Sequence, residues 1–303
     1  MNLFSKKETP VQNIAFMGIM AAISIIITVL LAVTDMFFVG LSLFVMLLLP
    51  LSSAIVEVCC KDRYYPIYFF ATLGLALVAT LWNIQSTILY LFPSLITGYL
   101  FGLSAKYKVS PIWVIISCAI IQAGITYATI PLINYILGID IIHTFLVFFS
   151  LQDSVNITYI IPSVILLLSL IQITLSYFVI NSEIKKFGYE YEEEEVPVRI
   201  ICYITIGFSL LIIGLYFLSL ELAYLAFIIA IYFAIVLLSE VVSKRMWKTL
   251  IFSLVSVIVS SLIYVFTYTY LKPASGLLVH VVAPFLIASI ILVVSFLKKG
   301  TLK

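Results

Sequence analysis

Apolar residues along this chain fall in ten long stretches, at roughly 13–33, 36–58, 65–82, 85–105, 111–137, 155–181, 200–220, 222–242, 249–270 and 278–297. A bilayer core about 30 Å thick is crossed by about 20 apolar residues at 1.5 Å rise per residue, and most of these stretches reach that length. Backbone N–H and C=O groups find no water in lipid, so a spanning segment is a helix or part of a closed barrel. Barrel strands alternate apolar and polar at every second residue. Ile200–Leu220 does not alternate, so the stretches predict helices. The expected fold is all-α, a polytopic membrane protein of about ten transmembrane helices.

The connections alternate in charge. Lys6/Lys7, Lys61/Arg63, Lys106/Lys108, Lys185/Lys186/Arg199, Lys244/Arg245/Lys248 and Lys298/Lys299/Lys303 fall on one side of a ten-span chain, which places fifteen of its 16 lysines and arginines there. The other side holds Asp35, Asn83, Asp140, Asp153, Glu221 and the single cation Lys272. Positive loops stay cytoplasmic, so both termini are expected inside a multi-pass protein of the cell membrane. An odd number of spans would scramble the alternation. Ile14–Val33 is too long for a signal-peptide core and lacks an A-x-A-like cleavage site, so it is expected to remain as the first helix.

Composition agrees. Of the 303 residues, 64% are hydrophobic and 10% charged, against about 45–50% and about 25% in soluble domains. The formal net charge of +2 gives no reason to expect a nucleic-acid partner. Cys59, Cys60, Cys118 and Cys202 have no CxxC spacing and sit in apolar runs, which reads as buried thiols.

Two connections stand out. Gly138–Asn156 contains an apolar piece, Ile141–Leu151, that is too short to cross and reads as interfacial or re-entrant, with His143 and Asp153 near its ends. Glu190 and Glu192–Glu195 before Pro197 form an acidic run expected to be a solvated linker. The implied organisation is a six-helix bundle over 1–182, an acidic cytoplasmic linker over 183–198 and a four-helix extension over 199–303. Glu57/Lys61 and Glu240/Lys244 both place an acid four residues before a base, where a helix is expected to reach the cytosol, and predict helical ion pairs open to water.

Polar residues inside a bilayer are costly and mark candidate sites. The fifth stretch carries Gln122, Thr126, Thr129 and Asn134, the first three on one face, and Pro131 is expected to kink it. Trp82, Asn83 and Gln85 lie near the expected outer mouth, as does Asn156; Gln172 lies deeper and His280 opens the last stretch. Such a set either lines a cavity for a small solute or joins helices by hydrogen bonds. Candidate solute contacts are Trp82, Asn83, Gln85, Gln122, Asn134, His143 and Asn156. Small residues mark close helix approach: Gly98/Gly102, Gly124/Ala128, and Ala15, Gly18 and Ala22 along one face of the first helix. No P-loop, H-E-x-x-H or G-x-S-x-G run occurs, and two histidines do not make a metal site. No enzyme activity, metal or cofactor is expected.

The run Gln12-Asn-Ile-Ala-Phe-Met-Gly-Ile-Met-Ala-Ala22 resembles the first helix of the substrate-capture (S) components of energy-coupling factor vitamin transporters. The stretch Pro50–Tyr65 and the run Phe92-Pro-Ser-Leu-Ile-Thr-Gly-Tyr-Leu-Phe-Gly102 continue the likeness, over about residues 12–182. The length and the added C-terminal helices resemble the YybS-type family of bacterial membrane proteins. The likeness implies a six-helix bundle with an outward-facing solute pocket. It also implies a partner surface on the first helix, where Gly18-x-x-x-Ala22 stands in for the A-x-x-x-A motif that meets a transmembrane coupling subunit with its ATPases. The four added helices depart from that pattern. Two functions follow: capture of a small, vitamin-like solute at the outer face for uptake, or a non-transport scaffold in envelope or developmental assembly.

Overall fold

Prolines start many of the helices. A computed structural model describes residues 7–37, 44–138, 140, 142–143, 159–186, 188, 196–270 and 276–297. The first helix, α1, spans Pro10–Phe37, and α2 (Leu49–Cys59), α3 (Tyr65–Ala79), α4 (Phe92–Lys106) and α5 (Pro111–Leu137) each carry a proline in the first two positions. Proline suits that place because its missing N–H has no partner in the first turn and its fixed φ is already helical. The remaining helices are α6 (Ile161–Lys185), α7 (Val198–Leu218), α8 (Leu220–Ser243), α9 (Trp247–Tyr270), the short α10 (Gly276–His280) and α11 (Val282–Leu297). No strand occurs among the described residues.

Seven helices are long and apolar enough to cross a membrane: Pro10–Asp35, Leu81–Lys106, Pro111–Leu137, Ile161–Lys185, Val198–Leu218, Leu220–Ser243 and Leu277–Phe296. Phe44–Cys59 and Trp247–Ile263 are shorter apolar helices. The chain is an all-α, multi-pass membrane protein. The expected third span is cut short: α3 has 15 residues, about 22 Å of rise. It stops where Thr80 leaves helical geometry and its hydroxyl donates back to Ala76 O at 2.8 Å. A 3-10 turn (Leu81–Asn83), one α turn (Ile84–Ser86) and a π segment (Thr87–Leu91) then lead into α4. Helix α5 runs through Pro131 and closes on Gly138, whose φ of +65° suits glycine and whose N–H donates to Asn134 O at 2.9 Å.

The chain divides into two compact units, Met1–Val155 with Ile165–Glu194, and Asn156–Val164 with Glu195–Lys303. The acidic run Glu190 and Glu192–Glu195 lies outside the described residues.

Unit 1 is built on the contact of α2 with α4. A Cβ added at Gly98 would stand 2.3 Å from Pro50 O, and one at Gly102 would stand 2.6 Å from Glu57 Cβ, so both positions require glycine for the two backbones to meet. Gly124 has nothing within 4 Å and, with Ala128, faces outward, so among the described residues this second small-residue pair meets no other helix. Buried hydroxyls join the elements. Ser24 and Ser52 oxygens lie 2.5 Å apart, and Tyr68 Oη is 3.0 Å from Ser24, tying α1, α2 and α3. Ser53 Oγ and Tyr65 Oη both donate to Leu95 O, at 2.7 and 2.6 Å.

Unit 2 is organised by the α7–α8 hairpin, turned at Ser219, whose Oγ accepts from Leu222 N at 3.4 Å. Ala223, Ala226, Ala230 and Ala234 make a buried small-residue stripe on α8, and the first three pack with Ile212, Leu277 and Val281. On α9, Thr249, Ser253, Ser256 and Ser260 are buried while Ile251, Phe252, Val255 and Ile258 are exposed. Hydroxyls inside and apolar side chains outside invert the soluble pattern, which is favourable only where the surroundings are hydrocarbon.

Candidate functional site

Helix α1 opens with a reciprocal cap. Thr9 Oγ1 accepts from Gln12 N at 3.3 Å, and Gln12 Oε1 accepts from Thr9 N at 3.4 Å and Glu8 N at 3.2 Å. This is a capping box, and Thr9-x-x-Gln12 before an apolar run was readable in the sequence. The neighbouring Asn13 is fully buried. Its Nδ2 donates to Thr9 O at 2.7 Å and Lys7 O at 3.3 Å, and its Oδ1 accepts from Lys61 N at 3.0 Å. Lys7 N donates to Cys59 O at 2.9 Å. Asn13 and the Lys7 backbone therefore fasten the start of α1 to the end of α2, while Gln12 caps α1 itself.

Beside this clasp lies a charged cluster. Lys106 Nζ is 2.6 Å from Glu57 Oε1 and 2.5 Å from Asp62 Oδ1. Glu57 is 1% exposed, and its Oε2 has no hydrogen-bond donor. The expected Glu57–Lys61 helical pair does not form, and Glu57 does not reach water: α2 ends at Cys59 and Cys60 is extended, with ψ at 168°, so Lys61 lies past the last turn. Glu240 does pair with Lys244, at 3.7 Å. The hydrogen bond from Lys106 holds the Asp62 carboxyl below the usual carboxylate range. All four cysteines are free thiols and buried, as expected, and burial pushes the Cys60 thiol up to about 11. No cluster of three His, Cys, Asp or Glu that would hold a metal occurs among the described residues.

The expected solute contacts are dispersed. Trp82 is exposed and Gln85 half-buried on the irregular stretch before α4. Asn83 Nδ2 donates to Ala32 O at 3.2 Å and Ser86 Oγ to Asp35 Oδ2 at 3.3 Å, so this stretch is fixed to the end of α1. Gln122 is buried in mid-helix, and its Nε2 donates to Gln172 Oε1 on α6 at 2.6 Å. Gln172 Nε2 in turn donates to Met46 O at 3.4 Å. Asn134 is half-buried, twelve residues or about 18 Å further along α5 than Gln122. His143 is exposed, its backbone N–H donating to Asp140 Oδ1 at 3.0 Å. Asn156 lies outside the described residues. Gln122 engages another helix through an amide pair, and that partner, Gln172, was noted in the sequence but not among the contacts.

Ala15, Gly18 and Ala22 all lie on the exposed face of α1, and a Cβ at Gly18 would meet nothing within 4 Å. Among the described residues no neighbour packs against Gly18, and Ala15 and Ala22 are exposed beside it.

The chain matches no family model, no curated protein and no solved structure. The likeness to S components and to the YybS type rests on its own residues.

Proposed function

We propose that the chain is a ten-span, non-enzymatic protein of the bacterial cell membrane, with both termini in the cytoplasm, that works as a capture component. Its first unit takes a small, vitamin-like solute at the outer face, and α1 docks a transmembrane coupling subunit whose ATPases drive uptake. The observation that carries this reading is the open stripe Ala15/Gly18/Ala22. Between lipid-embedded helices there is little hydrophobic gain, and small residues let two backbones approach closely enough for dispersion and weak Cα–H bonds to hold them.

A second reading, a non-transport scaffold in envelope or developmental assembly, is favoured by the Gln122–Gln172 pair, which spends an amide on joining α5 to α6. Mild-detergent purification from native membranes with mass spectrometry of co-purifying proteins separates the two. A coupling subunit with paired ATPases is the outcome for capture, and its loss in Gly18→Leu with the fold intact assigns the contact to α1. Envelope proteins alone would sink the capture reading and leave the scaffold.

A further inference from the structure

One end of unit 2 gathers cations that its own carboxylates do not answer. Helices α7 and α8 form an antiparallel hairpin, so Val198 and Ser243 lie at the same end, where α9 begins and α11 finishes. The link across this end is explicit: Arg199 Nη2 donates to Ser295 O at 3.0 Å, and its guanidinium stands 4.7 Å over the Phe296 ring. Arg199 Nε is buried and has no acceptor. The turn from α8 to α9 adds Lys244, Arg245 and Lys248. Among the described residues at this end the sole carboxylate is Glu240, already paired with Lys244. Arg245 holds φ +52°, with its N–H on Val242 O and its carbonyl accepting from Trp247 N, both at 3.0 Å, so the turn is tight. Arg245 and Lys248 are exposed.

The surroundings say what such a turn meets. Trp247 is 61% exposed, and Ile251, Phe252 and Val255 continue the outward apolar face one turn on. Tryptophan followed by outward apolar residues is the arrangement of a membrane interface, with the ring at headgroup level.

We propose that the α8–α9 turn, with Arg199 beside it, is a binding site for the phosphodiester headgroup of an anionic phospholipid. Arg245 and Lys248 supply exposed donors and Lys244 supplies charge. Arg199, held by Ser295 and Phe296, adds fixed positive charge at this end, and Trp247 packs at the glycerol level. Basic pockets between transmembrane helices recognise anionic headgroups in this way. The site stands apart from the solute reading and does not depend on it.

The test uses the full chain in nanodiscs of phosphatidylcholine with or without phosphatidylglycerol, read by thermal unfolding and by the anionic lipid retained in native mass spectrometry. The wild type should unfold at a higher temperature with phosphatidylglycerol. Arg245→Gln/Lys248→Gln should lose that increment, keep its stability in phosphatidylcholine, and retain the lipid about fivefold less per cation removed. Lys61→Gln/Arg63→Gln, which removes two exposed cations of unit 1 expected on the same side, should keep the increment. Equal losses in the two double variants would mean diffuse surface charge and overturn the site. A wild type whose unfolding is indifferent to phosphatidylglycerol would also overturn it.

Discussion

Glu57 on α2 and Lys106 at the end of α4 meet with Oε1 and Nζ 2.6 Å apart, across the two glycines that let their helices touch. The carboxylate is enclosed and the ammonium is 18% exposed, so the pair is asymmetric in what each partner loses when the other is removed. Lys106→Met leaves the enclosed carboxyl with no cation, so it either stays charged at high cost or takes up a proton, and breaking a buried pair from one side costs up to about 3–5 kcal/mol. Glu57→Gln/Lys106→Met should recover most of that loss. Thermal or denaturant unfolding of both variants in one detergent measures this, and a double variant no better than the single would refute it.

Gly98→Ala and Gly102→Ala should each destabilise by about 1–3 kcal/mol, the usual cost of overpacking. The added methyl groups would meet Pro50 O and Glu57 Cβ well inside contact distance. Gly18→Ala and Gly124→Ala, with open space at the same atom, should not destabilise and should gain up to about 1 kcal/mol from the better helix former.

Asp62 gives an acid-side dependence. Lys106 lowers its pKa in the folded chain relative to the unfolded one. The stabilisation is therefore complete above the unfolded value of about 3.9, and it is lost as pH falls through the lower folded value. Asp62→Asn should flatten the stability profile below about pH 4 and change nothing in its shape between neutral and mildly alkaline pH. A variant whose acid-side slope matches the wild type would show that Asp62 has no such linkage.

The Gln122–Gln172 pair is measurable by a double-mutant cycle with Leu at both sites. Interhelical hydrogen bonds in membranes average about 0.6 and reach about 1.7 kcal/mol, and coupling in that range identifies the pair as helix–helix glue. Zero coupling, together with lost solute binding in either single variant, would return Gln122 to the solute site.

The helical class and the positions of the apolar elements were legible in the sequence because spanning requires length and hydrophobicity, and both are visible residue by residue. Gly98 and Gly102 were legible for the same reason, since close approach needs a missing side chain. The partner of Glu57 was not. An i,i+4 spacing suggests a pair only while the helix continues, and nothing local said that α2 would stop at Cys59 and leave Lys106, 49 residues away, as the cation. The hydroxyl network of Ser24, Ser52, Ser53, Tyr65 and Tyr68 was likewise hidden, because serine in an apolar run reads as a small residue until its cross-helix neighbour is known. Of the candidate solute contacts, Gln122 and Asn83 are each engaged within the chain, by a side-chain amide and a backbone carbonyl, and that partnership needed the cross-helix neighbour to be seen.

The burial of Cys59, Cys60, Cys118 and Cys202 gives the native protein a chemical silence of practical use. A polar maleimide needs a thiolate it can reach, and it finds none on the folded surface. One thiol introduced at the exposed positions of Trp82 or Arg245 would then be the sole reporter in an otherwise unaltered chain, and under the proposed ten-span topology two such variants in sealed cells should label from opposite compartments.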